Sequence, residues 1–162
     1  MSTMSPLRSR PGDWLDDREQ AAWRGFITMH ARLVGHLNRE LRNDSGLSGS
    51  DYAVLVELSE TDGGRLRAFE LGDRLGWDKS RLSRHLTRME QRRLVAREDC
   101  PTDARGSVVV LTRHGRRAIE GAAPDHVDKV RRWFIDALTD GQLDAVVAIS
   151  DAVLAHLERG ID

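Results

Sequence analysis

The stretch "FELGDRLGWDKSRLSRHLTRMEQRRLV", residues 69–95, followed by "REDCPTDARGSVVVLT", residues 97–112, limits the fold more than any other part of the chain. A short helix through Leu71 and Leu75 is expected to end at Gly76, because glycine enters the left-handed conformation that closes a helix without a Cβ penalty. Asp78 is placed to cap a second helix running to about Arg92. In that helix Leu82, Leu86 and Met89 step by four and three, which gives one inward stripe. The opposite side carries Lys79, Ser80, Ser83, Arg84, Thr87 and Arg88. Two helices joined by a tight turn, the second cationic on its free face, describe a helix-turn-helix. The arms "LVARED" and "SVVVLT" then read as β-strands around the tip "CPTDARG". A helix-turn-helix followed at once by a hairpin is a winged helix. Its second helix fits the major groove of DNA, and its wing tip can reach a neighbouring minor groove.

The flanks are helical. From about Asp13 to Arg42 the apolar residues Trp23, Phe26, Ile27, Leu33, Val34, Leu37 and Leu41 recur at three- and four-residue steps, as in a long amphipathic helix. "NDSGLSGSD" interrupts it, and Ser48 or Ser50 is placed to cap the next helix, which carries Tyr52, Val54, Leu55 and Leu58. "TDGG" marks a turn. Thr112 is expected to cap a helix beginning near Gly115, with a joint at Pro124. Thr139 and Gln142 have capping-box spacing ahead of a last helix through Leu143, Val146, Val147, Ile149, Val153, Leu154 and Leu157. The expected class is mainly α with a small β-hairpin wing, a winged helix-turn-helix with N- and C-terminal dimerisation helices. The expected divisions are a disordered start at 1–12, a dimerisation helix at 13–47, the DNA-binding region at 48–113 and dimerisation helices at 114–162.

Net charge is −1, which by itself announces no polyanionic partner, but its distribution is uneven. Residues 65–117 hold 14 Lys/Arg against 7 Asp/Glu, a net of +7. Residues 1–64 carry −3 and residues 118–162 carry −5. A charge run is usually no more than a solvated face. Attached to a hairpin, the arginines at 81, 84, 88, 92 and 93 point instead to phosphates.

The single cysteine, Cys100, excludes an internal disulfide and any cysteine-cluster metal site. Its acidic neighbours Glu98, Asp99 and Asp103 disfavour a reactive thiolate, so it reads as a bystander. The six histidines show no pair at i,i+4, and no metal or other cofactor is expected. There is no nucleophile–base motif and no phosphate loop, so the reading is not an enzyme. No apolar run reaches the roughly 20 residues of a membrane span, and "MSTMSPLRSRPGDW" lacks a signal-peptide core. The expectation is a soluble cytoplasmic protein with no membrane partner.

Taken in order, the long helix, "FELGDRLGWDKSRLSRHLTRMEQRRLV", "DARG", "VLTRHG" and the paired C-terminal helices resemble the MarR family of bacterial transcription regulators, from about Trp14 to Leu157. The resemblance implies a homodimer whose first and last helices intertwine. It also implies binding of double-stranded DNA at a pseudo-palindromic operator, usually repression, and often relief by a small aromatic or phenolic effector. Carried over by position, Ser80, Arg81, Ser83, Arg84 and Thr87 face bases or phosphates, Arg105 is the wing arginine, and Asp103 positions it. Trp23 and His30 lie near where effector pockets lie in the family. Two departures stand out. Arg93 replaces a usual glycine, at a cost of roughly 1 kcal/mol if the backbone there is left-handed. Gly72 stands where alanine is common, a cost of about 1 kcal/mol within a helix. A winged helix used only for protein docking is the competing reading. It requires apolar residues on the exposed recognition face, which here is Ser, Arg and Thr.

Overall fold

The computed structural model describes residues 14–100 and 103–160, with the backbone alone at positions 100 and 103–105. The N-terminal segment 1–12 and the side chains of Cys100, Asp103 and Arg105 therefore lie outside the described residues. The chain divides into two compact units at the His36–Leu37 bond.

The first unit holds most of helix α1, Asp17–Ser45. Asp16 and Glu19 cap it reciprocally: the Glu19 N–H donates to Asp16 Oδ1 and the Asp16 N–H to Glu19 Oε2, both at 2.8 Å. On its surface Trp23, Phe26 and His30 form a ladder of rings with centroids 6.2 and 6.1 Å apart. Trp23 and Phe26 are more than half exposed.

The second unit runs from the end of α1 through α2 (Gly49–Glu60), β1 (Arg65–Arg67), α3 (Ala68–Leu75), α4 (Lys79–Gln91), β2 (Val95–Cys100), β3 (Asp103–Leu111), α5 (Arg113–Trp133) and α6 (Asp140–Arg159). Its core joins Val54, Leu55 and Leu58 of α2 to Leu71 of α3, Leu82, Leu86 and Met89 of α4, Val109 of β3 and Ile119 of α5. Burial of these aliphatic side chains, each worth about 1.5–3 kcal/mol, fixes α4 against the unit with its cationic face outward. The strands form one antiparallel sheet in the order β1-β3-β2. Val95 pairs with Leu111 and Asp99 with Ser107, so β2 and β3 make the expected hairpin. β1 is a third strand, pairing Arg65 with Val110, which three residues of sequence did not reveal.

Caps define the helix ends. Ser48 and Asp51 form a complete capping box, Asp78 Oδ1 accepts the Arg81 N–H at 2.8 Å, and Thr112 Oγ1 accepts the Gly115 N–H at 2.9 Å. Thr139 and Gln142 also form the expected box. Helix α3 closes at left-handed Gly76. Helix α4 closes in the same way, with the Leu94 N–H on Met89 O at 3.0 Å and the Arg93 N–H on Glu90 O at 2.8 Å. Arg93 thus occupies the left-handed position at φ 58°, the conformation that glycine would fill without strain. Gly72 is buried, and a Cβ there would lie 3.2 Å from Trp77 O, so its small size serves the close α3–α4 turn.

Pro124 makes no joint. It lies inside one uninterrupted α5. Proline removes one backbone donor and its ring crowds the carbonyl one turn earlier, a cost that α5 bears without ending there. No described helix is long and apolar enough to cross a membrane.

Candidate nucleic-acid interface

Helix α4 sorts its residues by face. Leu82, His85, Leu86 and Met89 are buried, whereas Lys79, Ser80, Arg81, Ser83, Arg84, Thr87 and Arg88 are all exposed. The expected cationic face is therefore assembled on one side of one helix. His85, which the sequence assigns to neither face, belongs to the inner side.

Several outward residues already have partners. The Arg81 guanidinium stacks over the Trp77 ring at 4.3 Å from its centroid, a cation–π contact that fixes the charge at the start of α4. Thr87 Oγ1 donates to Ser83 O at 3.0 Å and accepts from Arg97 Nη2 at 2.9 Å, so its hydroxyl is engaged within the protein. Arg97 is held in turn by Glu90, with its Nε 2.8 Å from Oε2 and its backbone N–H 3.0 Å from Oε1. Arg65 pairs with Glu98 across the sheet. The Arg97 contacts brace the wing strand β2 against α4, and the Arg65 pair ties it to β1.

Arg92, counted among the phosphate-facing arginines, turns back into the protein. Its Nη1 donates to Asp51 Oδ2 at 2.6 Å and its Nη2 to Gly46 O at 3.0 Å. Asp51 is buried and also receives the Ser48 N–H at 2.9 Å, while His85 Nε2 lies 3.0 Å from its other oxygen. Burial by itself would push the Asp51 carboxyl up. The contacts from His85, the Ser48 backbone, Arg92 and the Ser48 hydroxyl outweigh it and hold the group well below the usual carboxylate range. Asp51 so ties the start of α2 to the end of α4. The Ser48-x-x-Asp51 spacing could have revealed half of this role; its two partners on α4, 34 and 41 residues further on, could not be read from spacing.

A cavity of about 380 Å³ lies beneath α4, lined among others by Phe69, Trp77, Leu82, Leu86, Lys79 and Arg97. Trp23 and His30 line neither this cavity nor a smaller one beside His126.

Comparison with known proteins decides the family. The chain is 41% identical to AbsC, a MarR family transcriptional regulator from Streptomyces coelicolor, over 90% of this chain and 97% of that one, with a TM-score of 0.84. The chain belongs to the MarR family. The MarR family model itself matches residues 45–106, the segment from the α1–α2 junction to the wing. Sco3205, another MarR family regulator from S. coelicolor, solved in complex with DNA, is 39% identical over 89% of this chain and 91% of that one, with a TM-score of 0.85. An uncharacterised helix-turn-helix regulator of Bacillus subtilis, YxaD, is 28% identical over 108 residues, 67% of this chain and 74% of that protein. The winged-helix fold and the MarR resemblance read from the sequence are thus both established, and MarR proteins are transcription regulators, not enzymes.

Proposed function

We propose that this MarR protein is a sequence-specific DNA-binding repressor, acting as a homodimer on a pseudo-palindromic operator. The division of α4 into a buried apolar side and an exposed side of Lys79, Ser80, Arg81, Ser83, Arg84, Thr87 and Arg88 carries the reading. A protein-docking surface would place apolar residues there. Arg84 and Ser83 are the base-reading candidates in the middle of the helix, and Lys79 and Arg88 sit one to two turns away for phosphates. Thr87 acts through Arg97 rather than by itself. Arg105, in the D-x-R-G motif with Asp103, is assigned to the minor groove beside each half-site.

The dimer follows from apolar side chains that the single chain leaves uncovered. Val147, Ile149, Val153, Leu154 and Leu157 of α6 are all more than half exposed, and so are Trp23 and Phe26 of α1. A soluble helix with such a face is covered by a partner, and a second copy supplies one. The segments 13–47 and 114–162 are accordingly the dimerisation layer, and 48–113 the DNA-binding region. Two recognition helices then meet half-sites about 10 bp apart.

An aromatic or phenolic effector would act by favouring a dimer shape with the wrong spacing. The cavity beneath α4 has the size and the mixed apolar and cationic walls for such a ligand. Trp23 and His30 offer only an open stacking ladder.

The test is a mobility shift with the DNA flanking the protein's own gene, repeated over a salt series. Log K should fall with log salt by about 0.9 per neutralised phosphate. Arg84→Ala and Arg105→Ala should each weaken binding and flatten that slope. Unchanged affinity and slope in both variants would overturn the interface.

A further inference from the structure

The buried imidazole of His85 sits where the exposed face of α4 meets the core, and its two ring nitrogens have opposite surroundings. Nε2 lies 3.0 Å from Asp51 Oδ1 of α2. Nδ1 lies 3.1 Å from Arg88 Nη2, one turn along α4. A guanidinium can only donate, so Nδ1 must present its lone pair and the ring proton of the neutral form must sit on Nε2, facing the carboxylate. The Nε2–H does not align on Oδ1 as a full hydrogen bond, so that contact is electrostatic. The Trp77 ring closes a third side edge-on, with centroids 5.4 Å apart at 84°, and carries Arg81 on its face. Arg92 stands on the far oxygen of Asp51.

A second proton on this ring has one place to go, Nδ1. It would set an N–H against the N–H of Arg88 and a positive ring against a positive guanidinium. Asp51 opposes that repulsion from the other side, but it is shared with Arg92 and the Ser48 N–H. The imidazolium can therefore keep Asp51 and must lose Arg88. Arg88 is on the exposed side of α4, so when it lets go its guanidinium moves into solvent beside Arg84.

We propose that His85 is a positioning residue for DNA binding: the neutral ring tethers Arg88 to the protein, and the protonated ring releases it to a phosphate. The inference rests on the DNA-binding reading of α4. Acidification then strengthens binding by one further phosphate contact per recognition helix, since only the protonated ring lets Arg88 go. DNA in return favours the protonated ring, since binding and protonation are linked.

The experiment uses the full chain and a fluorescein-labelled 30-bp duplex of random sequence at low salt. Phosphate contacts supply nearly all non-specific affinity, so no operator is needed. For the wild type the slope of log K against log salt should steepen by about 0.9 per engaged recognition helix between pH 8 and pH 5.5. Affinity at about 0.1 M salt should rise about eightfold per recognition helix, a slope of about 0.9 carried over the tenfold step down from about 1 M. In His85→Gln and in Arg88→Ala that pH-dependent part should vanish. Arg88→Ala leaves the core untouched, so it decides the matter even where His85→Gln disturbs folding. A wild-type slope independent of pH, or an Arg88→Ala protein that keeps the full pH response, would overturn the tether.

Imidazole nitrogen NMR of the DNA-free protein separates this failure from failure of the DNA reading. The tether requires the Nε2–H form of His85 at pH 8 and a change in its ring shifts in Arg88→Ala; the opposite tautomer overturns it without any DNA present. If the NMR holds and no duplex binds at either pH, it is the DNA-binding reading that fails, and the proposed role of His85 fails with it.

Discussion

Gly115 packs so closely against Leu94 that a Cβ on it would lie 2.0 Å from the Leu94 carbonyl oxygen, and 2.9 Å from Leu111 Cδ1. Leu94 enters the wing and Gly115 lies in the first turn of α5, so the contact sets where the helix leaves the sheet. Thr112 reinforces it, with its hydroxyl 2.6 Å from Arg93 O and 3.0 Å from Leu94 O. Gly115→Ala should therefore cost about 3 kcal/mol, because backbone must move to admit the methyl group. Urea unfolding measures this directly, and a loss below about 0.5 kcal/mol would show that the contact is looser than described.

Arg93 gives a prediction of opposite sign. Its φ of 58° is the one left-handed backbone among the described non-glycine residues. Arg93→Gly should raise stability by about 1 kcal/mol, since glycine adopts this conformation without a Cβ clash. The midpoint of urea unfolding should move up with an unchanged slope.

Acid should weaken the fold in two steps. The Asp51 carboxyl is held below its ordinary value in the folded chain, so its contribution is complete above about pH 4 and drains away as pH falls further. Burial lowers the pKa of His126, whose ring lies 4.4 Å from that of Tyr52. The unfolded chain then takes up that proton more readily than the native one, and stability declines already below about pH 6.5. His126→Gln should flatten the shallow decline between about pH 7 and 5. Asp51→Asn should flatten the steeper one and lower stability at pH 7 by about 2 kcal/mol. Thermal melting over a pH series reads both, and parallel curves for all three proteins would refute the assignment.

The apolar face of α6 predicts a concentration-dependent mass. Light scattering should give twice 18.2 kDa for the wild type. Leu154→Asp together with Leu157→Asp should give a monomer, because two charges then replace two of the exposed leucines that a second copy is proposed to cover. A doubly substituted protein that stays dimeric would move the interface off α6.

Much of this architecture was readable locally. Ser48, Asp78, Thr112 and Thr139 each cap the helix expected of them, because a cap involves residues within three positions of one another. The inward stripe of α4 was readable for the same reason. Long-range pairing was not. β1 is three residues with no alternation to read, and it exists because β3 offers an edge. The sequence assigns His85 to neither face of α4, since its place is decided by Asp51, from 34 residues earlier, which draws it inward. Arg92 follows the same carboxylate. Pro124 shows the converse, a strong local signal overruled by the helix around it.

The stacking of Arg81 on Trp77 supplies the molecule with a built-in optical probe. An indole beneath a guanidinium reports the departure of that charge through its emission. In a chain whose Trp14, Trp23 and Trp133 have been changed to Phe, the light from Trp77 would follow the first turn of α4 as it engages a duplex, without any attached dye.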